Sequence, residues 1–254
     1  MRNRSTAEGP ANIIRDGLVA YVDAGNDRSY YGSTTGWRDI SIGSRNATLI
    51  NTPTYTTEYG GGYTFVSGSD NPSSPLQQRF TIPYFNITTQ PWAVEVWFKP
   101  SVNASYLRGI VSAGDTWNTH TVIQPGPPGW CLGYGGNGGT TIAFGASEAT
   151  AVYRVGGPTL TVGQVYNLFM HRNTNDQKIY LYVNGVRWGT SASIPNTVSL
   201  TGNYTTIGSR VWQAGPGPSG PQGTMYSIKV YDGINYTDDD VLQNYNALKY
   251  RFGL

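Results

Sequence analysis

From Trp92 to Pro100 apolar and polar positions alternate: Trp92, Val94, Val96 and Phe98 share one parity, Glu95, Trp97 and Lys99 the other. A period of two predicts a half-buried strand, and Pro100 stops it. Leu18–Asp23 is a short apolar run closed by Ala24-Gly25-Asn26-Asp27, a strand followed by a turn. Residues 109–112, 130–134 and 141–144 read as further short strands between glycine-rich turns. Residues 164–170 and 178–183 flank Asn173-Thr174-Asn175-Asp176 as a hairpin, with Ile179, Leu181 and Val183 facing one way. Asn184-Gly185 supplies the positive φ angles of a type I′ turn, after which 186–188 return. Residues 205–208 and 224–231 complete the predicted strands. Between them, 29–62 is turn-rich, pinned by Tyr30, Tyr31, Trp37 and Leu49.

The period changes to that of a helix only at the end. Thr237 and Asp240 stand at capping-box spacing, and Asp238 and Asp239 suit the positive end of the helix dipole. Val241, Tyr245, Leu248 and Phe252 then form an apolar stripe that predicts a helix laid against the strands. Residues 1–16 lack periodicity and read as an N-terminal arm. The expected organisation is therefore arm 1–16, a β-sandwich over 17–236 and a docked helix over 237–254.

Composition strengthens the β reading. Of 254 residues, 33 are Gly and 19 are Tyr, suiting tight turns and pleated, half-buried surfaces. Charge narrows the partners: 17 Lys+Arg against 15 Asp+Glu leaves +2, too little for the dense basic face that displaces counterions from nucleic acid. Cys131 is the one cysteine and cannot form an intramolecular disulfide; with His120 and His171 it cannot build an ordinary zinc site. No run approaches the roughly 18 apolar residues of a membrane helix, so no membrane insertion is expected. Residues 1–17 carry Arg2, Arg4 and Arg15 with no apolar stretch behind them, unlike a secretory leader.

The block from 164 to 189, with Gly163-Gln164-Val165-Tyr166-Asn167 leading into Leu181-Tyr182-Val183-Asn184-Gly185, resembles laminin-G-like, concanavalin A-like jelly rolls. The 92–100, 206–208 and 223–231 segments are similar to neighbouring strands of that fold. The opening, Gly17-Leu18-Val19-Ala20-Tyr21-Val22-Asp23-Ala24-Gly25-Asn26, and the closing 238–254 resemble laminin-G-like proteins of marine and cyanobacterial tailed phages. The resemblance implies an all-β fold, a two-sheet antiparallel jelly-roll sandwich with a short C-terminal helix. It also implies a virion structural protein, a capsid decoration or a tail or head appendage, with other virion proteins and host surface glycans as partners and a homo-oligomeric state. Arg2, Arg4 and Arg15 of the arm are the expected attachment residues. At Val66-Ser67-Gly68-Ser69-Asp70 the sequence lacks the acidic residue such proteins tend to carry before the glycine.

Related jelly rolls include glucanases, which flank a glycosidic bond with two carboxylates. Here the glutamates are Glu8, Glu58, Glu95 and Glu148, and Glu95 has Val and Trp where further acids would stand. Glu95 reads as an outward-facing strand charge, so catalysis is not expected. A glycan binder needs aromatic platforms beside polar groups, because a sugar's apolar face stacks on a ring while its hydroxyls take directional hydrogen bonds. Trp117, Trp130, Trp188 and Trp212 are the candidates; Trp37, Trp92 and Trp97 read as core. Calcium is the cofactor option, with Asp70, Asn71, Asp115, Asn118 and Asp176 as candidate ligands, each also an ordinary turn residue. The alternatives to the virion protein are a stand-alone carbohydrate-binding module and a glycosidase of a tail component.

Overall fold

The structure, a computed structural model, describes residues 12–30, 32, 36–66, 78–83, 89–104, 108–114, 118–119, 122–123, 129–135, 141–148, 151–191, 193–196, 204–208 and 220–254. The strands begin with β1 (Leu18–Asp23), β2 (Gly36–Trp37), β3 (Ala47–Ile50), β4 (Thr54–Thr56), β5 (Gly62–Phe65) and β6 (Arg79–Pro83). There follow β7 (Trp92–Pro100), β8 (Arg108–Gly114), β9 (Asn118–Thr119), β10 (Val122–Ile123), β11 (Gly129–Tyr134) and β12 (Thr141–Glu148). The last are β13 (Ala151–Thr159), β14 (Tyr166–Asn173), β15 (Lys178–Val183), β16 (Val186–Thr190), β17 (Tyr204–Ile207) and β18 (Gly223–Asp232). Helix α1 (Asp238–Leu248) closes the chain and continues into a 3-10 turn, Lys249–Phe252.

Two eight-stranded antiparallel sheets form a sandwich. One runs β16-β15-β14-β7-β18-β5-β4, with β1 also paired to β18; the other runs β13-β12-β11-β8-β17-β6-β3-β2. The elements that the pattern did not predict, β2 to β6, β9, β10 and β13, are short, or rich in threonine, tyrosine and glycine, and their pairing is decided by neighbours rather than by their own periodicity. β13 carries Pro158 and lies at a sheet edge, where a missing amide hydrogen costs no ladder bond.

The alternation in β7 explains the layers. Trp92, Val94, Val96 and Phe98 enter the core between the sheets, with Trp130, Leu132, Leu168, Leu181 and Ile228. Ala93 and Trp97 face the other way and are equally buried, because α1 and the segment before β1 cover that face. Ile13, Tyr21, Phe169, Tyr182, Tyr231 and Val241 make one part of this second core; Trp97, Tyr226, Leu248 and Phe252 make the other. Ile179, Leu181 and Val183 enter the inter-sheet core, and Tyr180 and Tyr182 the outer one, as their parity requires.

Glu95 corrects an expectation. It has the outward parity but is fully buried, since a helix rather than water lies over it. Its carboxylate accepts from Lys229 Nζ at 2.7 Å, Trp97 Nε1 at 3.1 Å and Asn167 Nδ2 at 3.1 Å, and from Asn244 of α1 and the Tyr231 hydroxyl on its second oxygen. The last residues of the span read as an N-terminal arm are packed rather than peripheral: Ile13 is buried, Ile14 N donates to Asn244 Oδ1 at 2.8 Å, and Asn12 O accepts from Gln243.

The helix start is as read from sequence, with Thr237 and Asp240 forming a reciprocal capping box. The Asn184-Gly185 turn has φ of 52° and 77°. It tucks beneath α1, where a Cβ on Gly185 would come within 3.0 Å of Tyr245, so a side chain here is opposed by both conformation and space.

Candidate functional site

The β15–β16 hairpin and the start of α1 enclose a groove of about 470 Å³. Strand parity turns Tyr180 and Tyr182 to the outer face, and register sets Arg187 opposite Tyr182. Arg187 reaches Asp238, the first residue of α1, with both arms of its fork: Nε donates to Oδ1 at 3.1 Å and Nη2 to Oδ2. Tyr182 OH donates to the same Oδ1 at 2.8 Å. The guanidinium carbon also lies 4.8 Å from the centre of the Tyr180 ring. Tyr180 OH donates to Asp176, in the turn between β14 and β15, and Asn173, Tyr236, Thr237 and Asp239 complete the lining.

Electrostatics follow from these contacts. The hydrogen bond from Arg187, then that from Tyr182, holds the Asp238 carboxyl below the usual aspartate range. Burial, then the bond to Asp238, raises the Tyr182 phenol; burial, then the bond to Asp176, raises Tyr180. Both phenols are therefore donors at neutral pH. Behind the groove, desolvation lowers buried His171 to about 4, so its imidazole is neutral, and Nε2 accepts from Tyr236 N at 3.2 Å.

The candidates from sequence distribute unevenly. Trp130 is fully buried and stacked on Trp92 with ring centres 5.6 Å apart, so it offers no face to a ligand. Its strand position decides this: Trp130 has the inward parity of β11, shared with Leu132 and Tyr134. Trp188 is 59% exposed, next in chain to Arg187 at an irregularity of the β15–β16 register, though it is not part of the groove lining. Trp117 and Trp212 lie outside the described residues, as do Asp70, Asn71, Asp115, Arg2 and Arg4. Asn118 is placed by its backbone in β9. Arg15 is exposed in the segment leading to β1, its carbonyl accepting from Leu18 N. Asp176 lies in the groove, bound to Tyr180 rather than grouped for calcium; among the described residues no three or more His, Cys, Asp or Glu are arranged to hold a metal ion.

Sequence reasoning missed Arg187, Tyr180, Tyr182 and Asp238 as a unit. The signal was the Tyr parity opposite Ile179, Leu181 and Val183; what it lacked was the docking position of α1.

The family model for the concanavalin A-like lectin/glucanases superfamily matches residues 72–234. The chain belongs to this superfamily. Helix α1 and strands β1 to β5 lie outside the matched span, so the side of the groove made by Tyr236, Thr237, Asp238 and Asp239 is built by a segment the family model does not include. No curated protein sequence matches the chain. Among solved structures, domain 4 of AbnA, an extracellular GH43 arabinanase of Geobacillus stearothermophilus in complex with arabinotriose, superposes with a TM-score of 0.61 at 16% identity, over 91% of this chain and all of that one. The binding domain of botulinum neurotoxin DC, in complex with rat synaptotagmin II, gives 0.65 at 10% identity over 93% of this chain and 53% of that one. Trypanosoma rangeli sialidase gives 0.61 at 12% identity over 92% of this chain, which spans only 33% of the sialidase. At these identities the likeness is one of fold.

Proposed function

We propose that this superfamily member is a non-enzymatic carbohydrate-binding sandwich that meets glycans at the groove between β15, β16 and α1. The observation that carries the reading is the juxtaposition of exposed Asp176, Arg187, Asp238 and Asp239 around the buried Tyr180 and Tyr182: a cluster of directional donors and acceptors in an open groove suits the hydroxyls of a sugar. That a domain of the same fold binds arabinotriose supports it. Against catalysis, Glu95 is enclosed and its oxygens are occupied, and Glu58 is held by Lys99 and Tyr226. Exposed Asp176 and Arg187 make the test: Asp176→Ala and Arg187→Ala should keep the melting temperature and lose binding to the polysaccharides that the native chain retains. Unchanged retention by both variants overturns the groove as the site.

The likeness of 17–26 and 238–254 to tailed-phage proteins supports a setting for this activity: a capsid decoration or head or tail appendage, on the virion, touching host glycans and attached to other virion proteins through the residues before the sandwich. Since Ile13 and Ile14 are packed, the informative deletion removes residues 2–11 only. It should abolish incorporation into particles that lack the native protein, and normal incorporation would assign attachment to the sandwich itself.

A further inference from the structure

We infer that the groove sorts glycans by charge, accepting neutral and amine-bearing sugars and rejecting those that carry carboxylates. This rests on the glycan-binding reading above and adds a rule to it.

Asp176, Asp238 and Asp239 line the groove, and Asp240 stands one position further along the same helical turn. Among the described residues Arg187 is the single cation in the lining; its Nε–Nη2 edge is taken by Asp238 and its face covers Tyr180. An incoming uronate or sialate meets a guanidinium whose charge is already paired with Asp238, so that only its outer Nη1–Nη2 edge is left to donate. A carboxylate on that edge would stand close to Asp238 and gain little from a cation already neutralised. The N-terminus of α1 would by itself favour an anion, with about half a positive charge. Three aspartates of this chain already occupy that first turn, and the Thr237–Asp240 box takes the Asp240 amide. The balance in the groove is therefore negative.

Hydroxyl and ammonium donors find the opposite situation. Asp176 spends one oxygen on Tyr180, and its exposed position leaves the carboxylate open to a ligand. Asp239 is exposed and faces the same groove. A carboxylate held a few ångströms from such groups in a half-solvated groove should bind about tenfold more weakly than its uncharged counterpart, about 1.4 kcal/mol.

The test uses the full chain and matched ligands. A glycan array containing neutral, amine-bearing and acidic oligosaccharides identifies what binds, and calorimetry then compares oligogalacturonate with its methyl ester and chitosan with chitin oligosaccharides. The expected result is retention confined to neutral and amine-bearing glycans, with any acid bound about tenfold less tightly than its ester at low salt and the gap closing as salt rises. Asp239→Asn, at an exposed position of the lining, should narrow that gap. Equal or tighter binding of the free acid overturns the charge rule while leaving glycan binding in place. Failure to bind any glycan on the array overturns both.

Discussion

Asn244 on α1 and Glu95 in the middle of β7 are 149 positions apart in sequence and joined by a 3.2 Å hydrogen bond in a fully buried site. The same Asn244 amide donates to Tyr231 OH at 2.9 Å, and its carbonyl oxygen accepts from Ile14 N. One side chain thus ties the helix, the sheet and the segment before β1 together. A buried carboxylate needs this company, because Lys229 alone would leave lone pairs of Glu95 without donors.

Removing either side of that network should be costly. Asn244→Ala leaves Glu95 Oε2 with only the longer bond from Tyr231, and the Ile14 amide without its partner, and should lose about 2–4 kcal/mol. Glu95→Gln strands the buried Lys229 ammonium and should lose about 3–5 kcal/mol, with Glu95→Gln/Lys229→Met recovering part of the loss. Urea midpoints measure all three, and a Glu95→Gln midpoint equal to the native one would show that the ion pair is not needed.

Helix docking has its own signature. Phe252 stacks on Trp97 with ring centres 4.4 Å apart, and Val241, Leu248 and Phe252 are buried, each contributing about 1.5–3 kcal/mol before ordering costs. Removing 238–254 should lower the melting temperature by at least about 10 °C and expose Trp97 to quenchers. Tyr250→Ala, at a residue 79% exposed, should leave both unchanged.

Acid should destabilise the fold through His171. Its folded-state pKa of about 4 lies below its unfolded value, so the unfolded chain binds more protons between about pH 6.5 and 4. Stability contributed by the neutral imidazole is full above that window and is lost as pH falls through it, on the order of 3 kcal/mol in all. Denaturation at stepped pH should show the slope, His171→Gln should flatten it, and an imidazole that titrates near 6.5 in the folded protein by NMR would refute the assignment.

The tryptophans divide by position. Trp130→Ala should cost about 3–5 kcal/mol as a core cavity. Trp188→Ala should change stability by less than about 0.5 kcal/mol and weaken retention on polysaccharide, a loss to be sought also in Trp117→Ala and Trp212→Ala. A Trp188→Ala protein that is retained normally would assign the exposed ring no part in binding.

What the sequence determined by itself was local. The period-two run in β7 and the Ile179-Leu181-Val183 parity in β15 specified strands and which side chains share a face, the apolar run of β1 specified a strand, the Asn184-Gly185 pair specified a turn, and the Thr237–Asp240 spacing specified where the helix begins. Each depends on interactions within a few residues, and each is legible there. Whether a face meets water or protein is not a local property. The outward parity of Glu95 was readable from β7, but its burial was decided by a helix that arrives 149 residues later and brings Asn244 over it. The groove has the same origin: the Tyr180–Tyr182 parity lay in the sequence, while the Arg187–Asp238 clamp exists only because packing of Val241, Leu248 and Phe252 fixes the start of α1 beside β16. Long-range burial set those positions, and no pattern within either segment encodes the other.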